Sequence, residues 1–148
     1  MWGTRTLSAM RTMRTALAAV ALAALLGGCG DAQADVETAF KGYHAALLAR
    51  DFPTACSYNT PEATDRLVAS LQTQGIDAAD CEDAFAAIYA EAGGSEAADG
   101  VGNSVQIQGI TVDGDRATVS WTAMLDGEQR PAQSTMRRVD GQWRFVTD

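Results

Sequence analysis

Val36, Phe40, Tyr43 and Leu47 recur at intervals of four, three and four residues, which puts them on one face of a helix over residues 35–50. The run Arg50-Asp51-Phe52-Pro53 ends it, because proline disfavours helical backbone at the residue before it. A short helical turn over residues 54–58 carries Cys56. Thr60 followed by Pro61 forms an N-cap and first helical residue, opening a third helix with Leu67, Val68 and Leu71 inward. Asp77 opens a fourth, with Asp80 as a short relative of the capping box and Gly93 just past the end. Its inward face is Cys81, Phe85, Ile88 and Ala92.

After a glycine-rich loop over residues 91–102 the period changes from helical to alternating. Ala117, Val119, Trp121, Ala123 and Leu125 share one face of a strand, and Asp-Gly pairs at Asp113, Asp126 and Asp140 mark hairpin turns. The preceding strand loses parity between Ile107 and Ile110, so an extra residue at Gln108-Gly109 predicts a bulge that bends it. With Asp113-Gly114 as a two-residue turn, Ile110 opposes Ala117, Ile107 opposes Val119 and Val105 opposes Trp121. A two-residue turn at Asp140-Gly141 pairs Met136 with Phe145 and Arg138 with Trp143. The pattern predicts α+β: helices over 35–92, then a curved antiparallel meander over 104–148.

Ahead of this domain, Arg5, Arg11 and Arg14 precede an eleven-residue apolar run, Ala16 to Leu26. As a helix it reaches only about 17 Å, against roughly 30 Å of hydrocarbon. A basic segment, a short apolar one and small residues after it are the pattern of an export signal, here residues 1–28. Starting at Met10 or Met13 only shortens the basic segment. The exit Leu26-Gly27-Gly28-Cys29 resembles the lipobox of bacterial lipoproteins. That resemblance implies a diacylglyceryl thioether on Cys29, a tether over 29–34 and a domain over 35–148. It implies export and lipid anchoring at the outer face of the bacterial cell membrane, since two acyl chains hold where one is marginal.

From Cys29 onward the chain has eight basic and nineteen acidic residues, a net charge of about −11. Nucleic acid, which needs a basic footprint, is excluded as a partner, and the balance argues against docking on an anionic surface. Once Cys29 is lipidated, Cys56 and Cys81 are left, and in an oxidising compartment the pair reads as a disulfide. Closing that loop contributes roughly 3 to 4 kcal/mol in the chain-entropy model. Neither a metal nor a cofactor is expected, since there is no Cys-x-x-Cys and His44 is the one histidine.

Helices followed by such a meander resemble the NTF2-like superfamily, and in particular its small bacterial lipoproteins, a type with no assigned activity. The resemblance is carried by Leu48-Ala-Arg-Asp-Phe-Pro-Thr-Ala-Cys56, the pair Cys56 and Cys81, Val112-Asp-Gly-Asp-Arg-Ala-Thr-Val119 and Arg138-Val-Asp-Gly-Gln-Trp-Arg-Phe145. It spans most of the domain and implies a cone-shaped fold. A cystatin-like fold and a small α/β sandwich are the rivals.

Superfamily enzymes work inside the cone with a tuned acid or histidine beside a tyrosine. Here the candidates are Tyr43, facing inward, and His44, one step off that face and expected to wet its ring at the surface. Nothing on the inward strand face is a base, so no catalytic residue is assigned. The candidate ligand-binding residues are Tyr43, Trp121, Met136, Arg138, Trp143 and Phe145. Arg138 either binds an anion at the cone mouth or covers Trp143 in a cation–π contact. The acidic groups Asp77, Asp80, Glu82 and Asp83, and Asp113 with Asp115, read as helix-start and turn chemistry rather than calcium ligands.

The function expected is a non-enzymatic module that binds a small apolar ligand or an envelope protein, with a homodimer open. An isomerase or dehydratase using a pocket acid–base pair is the alternative. A domain that only stabilises a membrane complex is a third reading.

Overall fold

The computed structural model describes residues 28–147, with side chains from Gly30 onward. The expected export signal, apart from Gly28, therefore lies outside the described residues, as do Leu26 and Gly27 of the lipobox-like segment. Five helices precede four strands: α1 Gly28–Leu48, α2 Phe52–Ser57, α3 Pro61–Thr73, α4 Cys81–Ala90, α5 Gly94–Ser104, β1 Gln106–Asp113, β2 Arg116–Leu125, β3 Glu128–Val139 and β4 Gln142–Val146. The strands form one antiparallel sheet in chain order, so the architecture is the expected α+β arrangement of helices on a meander.

Helix α1 starts seven residues earlier than the expected residue 35, and residues 28–34 are helical rather than an extended tether. Ala32 and Ala34 are strong helix formers and Asp31 suits the positive end of the dipole. Gln33 then ties this turn to the sheet, its Nε2 donating to the Ile110 carbonyl at 3.0 Å. At the other end Arg50 sits at φ 60°, and the amides of Arg50 and Asp51 donate to the carbonyls of Leu47 and Ala46. This is a Schellman closure made without glycine. Its strain is offset by the Arg50 guanidinium, which grips both oxygens of Asp99 at 2.7 and 2.9 Å and lies 4.2 Å over the Tyr89 ring.

Thr60 caps α3, accepting from the Ala63 amide at 3.2 Å, with Pro61 as first residue. Helix α4 begins one turn later than expected: the cap is Asp80, accepting from the Asp83 amide at 3.0 Å, and Asp77 precedes the helix. The helix ends at Ala90, which leaves Ala92 exposed, while Cys81 and Phe85 are buried as expected.

The largest departure is α5, where three glycines suggested a loop. Two of them bring helices together instead. A Cβ on Gly102 would stand 2.7 Å from Leu48, and one on Gly94 would stand 1.9 Å from the Ile88 carbonyl oxygen. Close packing thus replaces the propensity that glycine lacks.

In the sheet the register shift falls at Ile107/Gly109, where the parity break puts the bulge. The β1–β2 turn is Gly114-Asp115 rather than Asp113-Gly114, so the register is displaced by two: Ile110 opposes Val119, Ile107 opposes Trp121 and Val112 opposes Ala117. Gly114, at φ 58°, supplies the left-handed position. An even shift leaves every side chain on its expected face. Met136 opposes Phe145 and Arg138 opposes Trp143, as the Asp140-Gly141 turn requires.

The main core lies between α1 and the sheet and holds Val36, Phe40, Ala117, Val119, Met136 and Trp143. A second, between α1, α2 and α4, surrounds the Cys56–Cys81 disulfide, and a third joins α3 to α4. The Tyr58–Thr60 linker pairs with Phe145 through two backbone hydrogen bonds, closing the β4 edge.

The glycines of α5 give opposite expectations. Gly100→Ala, whose Cβ would meet nothing closer than 3.9 Å, raises unfolding stability by about 0.5–1 kcal/mol through helix propensity. Gly94→Ala lowers it, because a backbone carbonyl occupies the space. Urea denaturation of the two variants reads both signs; equal effects would return α5 to the status of a loop.

Candidate functional site

The face of the sheet toward α1 is filled rather than hollow. Val36 and Phe40 of α1 and Val119 and Met136 of the sheet are 0% exposed. Of the expected ligand-binding residues, Met136 and Trp143 belong to this core, and Trp121 and Phe145 pack against it. Tyr43 lies in the neighbouring cluster, 4.5 Å from the Phe145 ring and 6.2 Å from Phe85. Trp121 is half-buried and donates from Nε1 to Ser134 Oγ at 3.0 Å.

His44 differs from its expected position. It is buried, 9% exposed, with its ring 4.6 Å from Phe40, 5.3 Å from Tyr43 and 5.8 Å from Trp121. The reason is that α1 is covered on two sides. The series Val36, Phe40, His44 meets the sheet, while Tyr43 and Leu47 meet α2 and α4, so a residue one step off the first stripe still points inward. Burial pushes the His44 pKa down to about 4 and the Tyr43 hydroxyl above its ordinary range. Both are neutral near pH 7. A histidine this weakly basic is poorly matched to proton abstraction, which works best with a pKa near the operating pH.

Arg138 lies at the hairpin end of the sheet. Its guanidinium is 5.6 Å from the Trp143 ring centre and binds Asp115 Oδ1 through Nε at 3.0 Å, while its own amide donates to the Asp115 carbonyl at 2.8 Å. The cation–π reading describes this contact, and Asp115 is a partner the sequence did not suggest. Beneath it, Trp143 Nε1 is buried without a hydrogen-bond partner. The acidic groups stand where helix-start and turn chemistry put them: Asp80 caps α4, Asp113 is the last residue before the first hairpin turn and Asp115 is in it. Among the described residues no cluster of three metal-ligating side chains is present.

The outer sheet face, turned away from α1, carries a pattern the sequence reading missed. None of its strand residues is buried. Arg116 opposes Arg137 and Arg137 opposes Arg144, so three arginines form one row across β2, β3 and β4. Like charges placed directly opposite each other destabilise a sheet. Glu62 of α3 approaches Arg137 at 3.8 Å, and the Nη2 of Arg144 donates to Gln142 at 3.3 Å. Arg116 has partners within the chain, and the Arg144 Nε is buried without a hydrogen-bond partner. Farther along the strands a shallow depression of about 300 Å³ is lined by Gln108, Ser120, Thr122, Pro131, Ala132 and Gln133 together with Trp121, one of the expected ligand-binding residues. Gln108 and Gln129 both donate to Thr122 Oγ1 at 3.2 Å. Counting outward from the two later Asp-Gly turns would have revealed the arginine row, since register follows from turn position.

No family model matches the chain, and no curated protein matches it. Solved structures similar in backbone include a SEC-C motif containing protein from Rhodopseudomonas palustris, 18% identical, with a TM-score of 0.47 and coverage of 78% of this chain and 77% of that one. A protein named as an NTF2-like transpeptidase from Campylobacter jejuni is 16% identical, with a TM-score of 0.47 and coverage of 76% and 97%. An NTF2-like protein of unknown function from Shewanella oneidensis is 14% identical, with a TM-score of 0.45 and coverage of 76% and 92%.

The buried histidine makes stability depend on pH. With its pKa lowered from 6.5 to about 4, His44 stays neutral in the folded chain over a range where the unfolded chain takes up a proton. Its contribution is whole above pH 6.5 and falls as the pH drops toward 4, by about 3 kcal/mol in all. His44→Phe keeps a ring in the cluster and is expected to flatten this part of the profile, read as urea midpoints at pH 7 and pH 5. An unchanged slope would place the titration elsewhere.

Proposed function

We propose that the chain is an extracytoplasmic lipoprotein, anchored through a lipid on Cys29 to the outer face of the bacterial cell membrane. Its NTF2-like domain acts as a binding module without catalysis, for a small ligand or an envelope protein. The observation that carries the binding reading is the filling of the inner sheet face by Val36, Phe40 and His44, which leaves the polar outer face as the broad open surface. A surface of that kind recognises; a reaction that moves protons needs an enclosed site with a tuned base.

Three features support the anchor. The basic and apolar segments before Cys29 have the length of an export signal, and Leu26-Gly27-Gly28-Cys29 has the aliphatic-small-small-cysteine order of a lipobox. The Cys56–Cys81 disulfide suits an oxidising compartment, where such bonds persist. The net charge of about −11 after Cys29 leaves little attraction to an anionic surface, so stable membrane attachment falls to the acyl chains.

Cys29→Ser is expected to move the protein from the membrane to the soluble fraction of an expressing bacterium and to abolish incorporation of labelled palmitate. Retention of the variant in membranes would overturn the anchor. Native mass spectrometry of the full chain, released gently in detergent, tests the binding reading; its expected result is a retained adduct or partner, and a bare mass counts against it.

A further inference from the structure

We propose that the outer face of the sheet binds an anionic saccharide, its acid groups on the arginine row and its hydroxyls over the neighbouring depression. This rests on the binding-module reading and names the ligand class for it. The first observation is the placement of charge. Arg116, Arg137 and Arg144 occupy consecutive strands at one level, a row about 10 Å long at about 4.8 Å per strand. Arg137 meets Glu62 and Arg116 is engaged within the chain, so it is their placement in one row that offers positive charge to a ligand. Among the strand residues of this face the one carboxylate is Asp113, at the corner beside Arg116. Of the chain's nineteen acidic residues, Asp113 stands on the strands of this face and Glu62 reaches Arg137 from α3. Negative charge elsewhere is damped beyond about 8–10 Å at physiological salt, so close to the face the local arginines decide.

The second observation is independent of charge. The depression has an apolar floor to which Trp121, Pro131 and Ala132 contribute, the kind of surface that takes the C–H face of a sugar ring, and the amides and hydroxyls of Gln108, Ser120, Thr122 and Gln133 stand around it. Amides and hydroxyls both donate and accept, as the hydroxyls of a sugar do. They are already held in place: Thr122 Oγ1 accepts from two glutamines, and Gln133 donates to Ser120 Oγ at 3.4 Å. Four residues of strand separate Arg116 from Ser120, about 13 Å at 3.3 Å per residue. An arginine side chain covers part of that distance, so a ligand of two or three sugar units reaches from one to the other. Guanidinium groups suit a carboxylate or phosphate held in two-point contact.

The test is isothermal titration calorimetry of the full chain in detergent with trigalacturonate, using maltotriose as the neutral ligand of equal length. Trigalacturonate is expected to bind, with affinity falling at least about tenfold in Arg137→Gln and in Arg144→Gln. It is expected to be little changed in Arg130→Gln, whose strand position lies on the opposite face. Circular dichroism confirms that each variant is folded. Equal binding of maltotriose overturns the role of the arginines, and equal competition by inorganic phosphate or an acidic hexapeptide overturns the saccharide. No binding of trigalacturonate overturns the proposal outright; if native mass spectrometry then retains a different ligand, the binding-module reading stands without it.

Discussion

Helix α1 is buried from two directions, and the other elements are arranged around that burial. Phe40 and Val36 are wholly enclosed by the sheet, and Ala46 and Leu47 meet the helices that the disulfide joins. Each large apolar side chain removed from water in this way contributes on the order of 1.5–3 kcal/mol. The price is that whatever lies along α1 becomes interior, whether apolar or not. His44 is the residue that bears it: a titratable ring held neutral among Phe40, Tyr43 and Trp121 because the helix has no free side there.

That same burial divides the sheet into two surfaces with different duties. The α1 side is packed with Val119, Met136 and Trp143 and is committed to stability. The opposite side has threonine, serine, glutamine and arginine, and no residue of it is buried. Three arginines in one row cost the fold something, and nothing in the packing of the inner face requires them. Arg138 illustrates the contrast. It sits on the inner parity at the hairpin end, where it pairs with Asp115 and lies against Trp143, and it stands alone there and not in a row of like charges.

Much of the fold was legible because local signals agreed with one another. The stripe Val36, Phe40, Tyr43, Leu47 marked α1, Thr60-Pro61 marked the start of α3, and Asp140-Gly141 set the last hairpin to the residue. What misled was glycine read by propensity alone. Gly94 and Gly102 are in a helix because Ile88 and Leu48 press against them, a tertiary fact with no local trace. The position of His44 was hidden for a similar reason: one stripe predicts one buried side, and a helix sandwiched between layers has two. The candidate site was less legible still. Its arginines are twenty-eight residues apart in sequence from first to last and meet only through two strand registers.

The bond from Gln33 to the Ile110 carbonyl bears on how the domain moves. Residues 30–34, read as an extended leash, could span up to about 18 Å; wound into α1 they rise about 7.5 Å. A domain on a leash sweeps a hemisphere and meets partners at many heights and angles. A domain whose first turn is stitched to its own sheet turns with that helix as one rigid piece. Whatever is joined to the start of α1 therefore keeps one distance from the sheet, set by the helix and not by the reach of a loose chain.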